Sequence, residues 1–191
     1  MTRRSKGTSS SDDRSEPGAG TELLVANGWR IAFHTQLLLQ LERLIAGVEK
    51  ERRDTRVRRS PSQPALILAS LRQLMFVDIP GDPTRPIYRQ GSTLGGARKH
   101  WFRAKFGNGR YRLFFRFSTR ARLLLFAWVN DEESLRTYGS STDAYATFAR
   151  MLDGGDPPDD WDSLLKACTT AETLERLQHV FSLIQGRHRD E

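Results

Sequence analysis

An Asn-Gly dipeptide at positions 108 and 109 lies between two runs of alternating polarity, and few sequence features restrict folding so tightly. Asparagine and glycine tolerate the two positive-φ positions of a type I′ turn, whose twist matches that of a β-hairpin. A two-residue loop also fixes the register. Gly107 then faces Arg110, Phe106 faces Tyr111, Lys105 faces Arg112, Arg103 faces Phe114 and Trp101 faces Arg116. One side of this hairpin carries Phe102, Ala104, Phe106, Tyr111, Leu113, Phe115 and Phe117, enough apolar surface to cover a core. The other carries Trp101, Arg103, Lys105, Arg110, Arg112, Phe114 and Arg116, a face suited to an anion.

Facing Lys105 with Arg112 costs on the order of 0.2–1 kcal/mol, so stability alone would place a carboxylate at one of the two positions. The pattern extends well beyond the hairpin. Between Pro83 and Asn130 there are 11 lysines and arginines and no aspartate or glutamate. Since the chain holds 30 basic and 23 acidic residues, the remainder has 19 against 23 and is net acidic. Positive charge gathered in one segment marks a binding site, and phosphate is its natural partner. Trp101 and Phe114, interleaved with the cations, are candidate stacking platforms for bases.

With 191 residues the chain suits one domain with extensions. Residues 1–22 are polar and read as a disordered tail. Apolar residues at helical spacing predict an amphipathic helix from Ile31 to about Glu51, and Ser62 with Pro64 begins a second that runs to about Val77. Arg122 to Val129 is nearly all apolar and reads as a third strand with a central place in the sheet. Thr142 or Asp143 starts a short helix closed by Gly154-Gly155, and Asp156 with Pro157 and Pro158 opens another. Thr169 and Glu172 form a capping-box pattern for a last helix bearing Leu174, Leu177, Phe181 and Ile184, whose default is to pack on its own domain. The order gives an α+β fold: N-terminal helices, a mostly antiparallel sheet with a basic face, then C-terminal helices.

A single cysteine, Cys168, excludes an internal disulfide, and His34, His100, His179 and His188 are too scattered for a metal site. No metal and no cofactor is expected. With no secretory leader and no run of about 20 apolar residues, the expectation is a soluble, cytoplasmic protein without a membrane partner.

Several segments also carry a resemblance: Asn27-Gly28-Trp29, Tyr88-Arg89-Gln90-Gly91, WFRAKFGNGRYRLFFRF from Trp101 to Phe117, and WVNDEESLRTYG with STDAYATFARML. Together they resemble the YhaV branch of the RelE-like toxins, over a span from about Asn27 to Trp161. The resemblance implies a RelE/ParE-type α+β sheet with helices packed on one face. It also implies a type II toxin–antitoxin endoribonuclease that acts on mRNA in association with the ribosome, arrests translation and is neutralised by a PrlF-type antitoxin. On this reading residues 23–165 form the toxin domain, and 166–191 add an extra helix and a charged tail.

RelE-like ribonucleases turn the RNA's own 2′-hydroxyl against the adjacent phosphate, so orienting, charge-neutralising and proton-transferring side chains suffice without metal. The matching motifs imply Arg103, Lys105 and Arg112 at the scissile phosphate, with Arg136 and Tyr145 completing the catalytic set and Tyr138 competing for the tyrosine's role. Arg110, Arg116, Lys99, Arg98 and Trp101 are expected to bind flanking RNA. His100 is a weaker candidate base, and Trp29 and Trp128 read as packing residues. Two other readings use the same basic face: a noncatalytic RNA- or ribosome-binding module, and a gyrase poison of the ParE kind. ParE-like proteins generally lack the basic set on the sheet.

Overall fold

The computed structural model describes residues 23–53, 60–131 and 143–185. The 108–109 hairpin forms in the expected register. Strands β3 (Phe102–Phe106) and β4 (Tyr111–Ser118) pair antiparallel, with Lys105 opposite Arg112 and Arg103 opposite Phe114. Asn108 and Gly109 adopt φ of 55° and 78°, and the Arg110 N–H closes the turn on the Gly107 carbonyl at 3.2 Å.

A second Asn-Gly turn organises the opposite edge. Asn27 and Gly28, at φ 48° and 73°, join β1 (Leu24–Ala26) to β2 (Trp29–Phe33). Ile31 to Phe33 are therefore strand, and the first helix, α1 (Thr35–Arg53), begins later than its apolar spacing suggested. The reason is local. Trp29, Ile31 and Phe33 recur at a period of two behind a turn that demands a strand, and His34 then starts the helix, its Nδ1 accepting the Gln36 N–H at 3.3 Å.

The third expected strand is β5 (Leu123–Val129), buried along its whole length. It pairs antiparallel with β4 and parallel with β2, giving the order β1-β2-β5-β4-β3. Its register with β4 slips between Phe114 and Phe115, so that Ala127 is an extra residue and both it and Trp128 join the same packed layer.

Both faces of this sheet are packed, in contrast to the single covered face that the resemblance implied. On one face lie α1, α2 (Gln63–Gln73) and α6 (Ala171–Gln185), enclosing Ile31, Phe33, Leu113, Phe115 and Phe126. Ser62 caps α2 through Ala65, and the chain continues through a π-helical turn, Leu74–Asp78, into the single turn α3 (Ile79–Gly81). The terminal helix α6 contributes Leu177 and Val180 to this core and ties Arg176 to Glu42 at 2.9 Å, so it packs on its own domain.

On the other face α4 (Ala144–Asp153) and α5 (Trp161–Cys168) cover Phe114, Leu125 and Trp128, with Phe148 stacked 4.2 Å from Phe114. A β5 strand that is apolar on both sides requires this second layer. Gly154-Gly155 ends α4 as expected. The α5 start moves from Asp156 to Trp161 because Asp160 is the cap, accepting the Asp162 N–H at 2.9 Å. For α6 the capping residue is Thr170, which accepts the Thr173 N–H, and not Thr169, whose hydroxyl donates back to Leu165. The expected tail, 1–22, lies outside the described residues.

Candidate active site

Strand periodicity sends Arg103 on β3 and Arg112 on β4 to the same face of the hairpin, beyond the edge of the layer formed by α4. The first turn of α4 delivers Tyr145 to them. Its ring packs edge-on against Phe114, 5.8 Å between centroids, and is almost fully buried. Arg103 Nε donates to the Tyr145 phenol oxygen at 2.9 Å, while its Nη1 donates to the Ile87 carbonyl at 2.6 Å. Arg112 lies over the Tyr145 ring, 5.1 Å from its centroid, a cation–π contact.

This environment acts on the phenol in opposite senses. Burial raises its pKa, but the hydrogen-bond donors and positive charges of Arg103 and Arg112 outweigh burial and hold Tyr145 below a tyrosine's ordinary value. Stabilising a phenolate is a chemical task, and the arrangement has a structural cost. Arg112 Nε is buried without a hydrogen-bond partner, a situation that ordinarily destabilises by about 1–3 kcal/mol.

Asn130 holds the Arg112 backbone, a role that sequence reasoning missed. Buried at the end of β5, its Oδ1 accepts the Arg112 N–H, its Nδ2 donates to the Arg110 carbonyl at 3.1 Å, and its N–H donates to the Arg112 carbonyl at 3.3 Å. The available signal was a polar residue closing an otherwise apolar strand, which reads as a strand terminator when the partner strand is unknown.

The remainder of the basic face is organised by a carboxylate from outside the segment. Asp159 accepts the Trp101 indole N–H at 2.6 Å, contacts His100 Nε2 at 2.8 Å and faces Arg98 at 3.8 Å, and its carbonyl accepts from Arg116 Nη1 at 2.6 Å. Burial raises the Asp159 pKa, but the His100 and Trp101 hydrogen bonds and the charge of Arg98 prevail and hold it below the usual carboxylate value. Arg98 also pairs with Asp153 at 2.6 Å, and Arg116 lies over the rings of Trp101 and Trp161.

Burial overturns two expected base-stacking platforms, Trp101 and Phe114. Trp101 has no exposed surface and cannot receive a base, because its ring packs edge-on to Phe148. Phe114 is equally buried. Arg98 and Arg116 are committed to the α4–α5 connection, where they hold the second layer to the sheet. His100 is oriented by the same aspartate.

Lys105, Arg110 and Lys99 are exposed. Trp29 and Trp128 are packing residues, 4% and 5% exposed. Arg136 and Tyr138 lie outside the described residues. Cys168 is buried, and burial pushes its thiol up to about 12, so it is not a nucleophile. Among the described residues no group of three or more His, Cys, Asp and Glu side chains is placed to hold a metal ion, and no helix is long and apolar enough to cross a membrane.

Residues 31–169 match the YhaV toxin family model, described as a toxin with endonuclease activity from a toxin–antitoxin system. This span holds Arg103, Arg112, Asn130 and Tyr145 together. The chain belongs to the YhaV toxin family. It is 40% identical over 150 residues to the toxin YhaV of Escherichia coli O6:H1, covering 78% of this chain and 94% of that protein. It is 39% identical over 141 residues to the ribonuclease toxin YhaV of Escherichia coli K12, covering 73% and 92%. No solved structure matches. As a YhaV-family toxin with endonuclease activity it has an antitoxin counterpart, and its Arg103, Arg112 and Tyr145 cluster is the candidate centre for that activity.

Proposed function

We propose that this toxin cleaves RNA by metal-independent transesterification at Arg103, Arg112 and Tyr145. The observation that carries the reading is a phenol held by two guanidiniums and kept below its ordinary pKa. The ribonuclease name of the K12 relative supports RNA as the substrate.

In this mechanism the Tyr145 phenolate accepts the proton of the ribose 2′-hydroxyl, whose oxygen attacks the adjacent phosphorus. Arg103 and Arg112 stabilise the added negative charge of the phosphorane, the contribution that is usually largest in such reactions. The bond from phosphorus to the 5′-oxygen breaks, and exposed Lys105 gives the departing oxygen a proton. The products are a 2′,3′-cyclic phosphate and a 5′-hydroxyl. Arg136 from the 132–142 segment adds a further cation, and exposed Arg110 and Lys99 bind flanking phosphates. The biological substrate is mRNA engaged by the ribosome in the cytoplasm, so cleavage stops translation until a PrlF-type antitoxin binds.

The test uses purified toxin and a short RNA in EDTA. The expected products carry 5′-hydroxyl and 2′,3′-cyclic phosphate ends, and a single 2′-deoxy substitution at the cleaved nucleotide abolishes the reaction. Cleavage of the deoxy-substituted strand, or complete inhibition by EDTA, overturns the mechanism.

A further inference from the structure

We propose that the turn from Arg85 to Arg89 is the base-recognition wall of this site, with the Ile87 side chain packing on the nucleobase beside the scissile phosphate. The inference rests on the ribonuclease reading above and adds a specificity determinant to it.

Ile87 is 63% exposed, while the adjoining Tyr88 is 4% exposed. The backbone presenting Ile87 is anchored by the residues that follow it. Tyr88 packs edge-on to Phe115 at 5.5 Å, and Arg89 forms an antiparallel bridge with Phe102, the first residue of β3. Next in the chain, buried Gln90 accepts from Thr93 and the Leu94 N–H and donates to the Arg98 carbonyl at 3.0 Å, which braces the loop from below. Ile87 is thus offered to solvent by a well-held turn.

Its position relative to the chemistry follows from one side chain. The Arg103 guanidinium bonds the Ile87 carbonyl through Nη1 and the Tyr145 phenol through Nε, so a phosphate at Arg103 has Tyr145 on one side and this turn on the other. Arg89, exposed two residues after Ile87 and within the stretch that lacks carboxylates, suits a phosphate of the same strand, while exposed Arg85 lies over the Tyr88 ring at 5.8 Å. An aliphatic group offers a base no donor or acceptor. It discriminates by apolar contact area alone, and the larger purine face gains more than a pyrimidine.

The experiment compares the unmodified toxin, Ile87→Ala, Arg103→Ala and Tyr145→Phe on a random-sequence RNA pool, with every new 5′-hydroxyl end sequenced. Expected are a purine excess at a position flanking the cut and a reduction of that excess by roughly three- to tenfold in Ile87→Ala, cleavage being retained. The exposed position allows the variant to fold, which its melting curve verifies. An unchanged base distribution in Ile87→Ala, no purine excess in the unmodified toxin, or loss of all cleavage in Ile87→Ala overturns the wall. Cleavage that survives both Arg103→Ala and Tyr145→Phe instead overturns the catalytic reading beneath it.

Discussion

Two groups of cations stand on the same side of the sheet and have opposite surroundings. Arg98 meets the carboxylates of Asp153 and Asp159, supplied by the end of α4 and the loop before α5, and Arg116 donates to the Asp159 carbonyl beside them. Arg103 and Arg112 meet a phenol and carbonyls, with no carboxylate contact among the described residues. The first pair holds a layer of structure in place, with Arg98 neutralised by its carboxylates. The second pair keeps its charge available and shifts the acidity of the group between them. A basic face is therefore not one unit, and its partners differ between its two halves.

The comparison breaks most visibly at Arg103. Arg103→Ala is expected to lower the single-turnover cleavage rate by about 10²–10³-fold with an unchanged melting temperature; a loss of only a few-fold would make the two halves equivalent. Next is the pH profile. If the Tyr145 phenolate is the base, kcat/KM rises with pH to a plateau whose apparent pKa lies below the ordinary tyrosine value of about 10. Tyr145→Phe removes that limb, and a profile that falls with pH over the same range would assign the proton elsewhere.

At Asp159 the expected effect moves from rate to stability. Asp159→Ala strands the buried Trp101 indole N–H and costs about 1–3 kcal/mol, read as a melting temperature lower by several degrees with cleavage retained at low temperature. Loss of rate without loss of stability would merge the halves. The smallest effect belongs to Arg110→Ala at the exposed hairpin mouth. The slope of log K for RNA against log salt becomes shallower by about 0.7, with base preference unchanged.

The hairpin that carries Arg103 and Arg112 was legible to the residue, because an Asn-Gly turn sets a register that nothing else in the fold contradicts. The same dipeptide at 27–28 carries the same information, yet Ile31, His34 and Leu37 also fit a helical period, which hides the strand that precedes α1. Tyr145 and the site's arginines were named from the sequence, but their grouping depends on α4 folding back over Phe114. What alternation could not reveal was the fate of Arg98, Arg116 and Trp101. Their partner, Asp159, is more than 40 residues away and outside the basic stretch, and only the packed second layer brings it to them. Asn130 was hidden for a related reason, since a buried amide is recognised by the backbone groups it meets.

The parallel pairing of β2 with β5 also sets a timetable. Arg30 pairs with Leu123, 93 positions further along (123 less 30), and at 5–20 residues per second this partner is made roughly 5–20 s later. Until then the central strand is missing. Tyr145 follows later still, and the α6 residues that complete the other core come last. A nascent toxin thus has its arginines on an early hairpin but no phenol beside them. Synthesis order alone keeps Tyr145 from the hairpin arginines until α4 has been made and has folded back over Phe114.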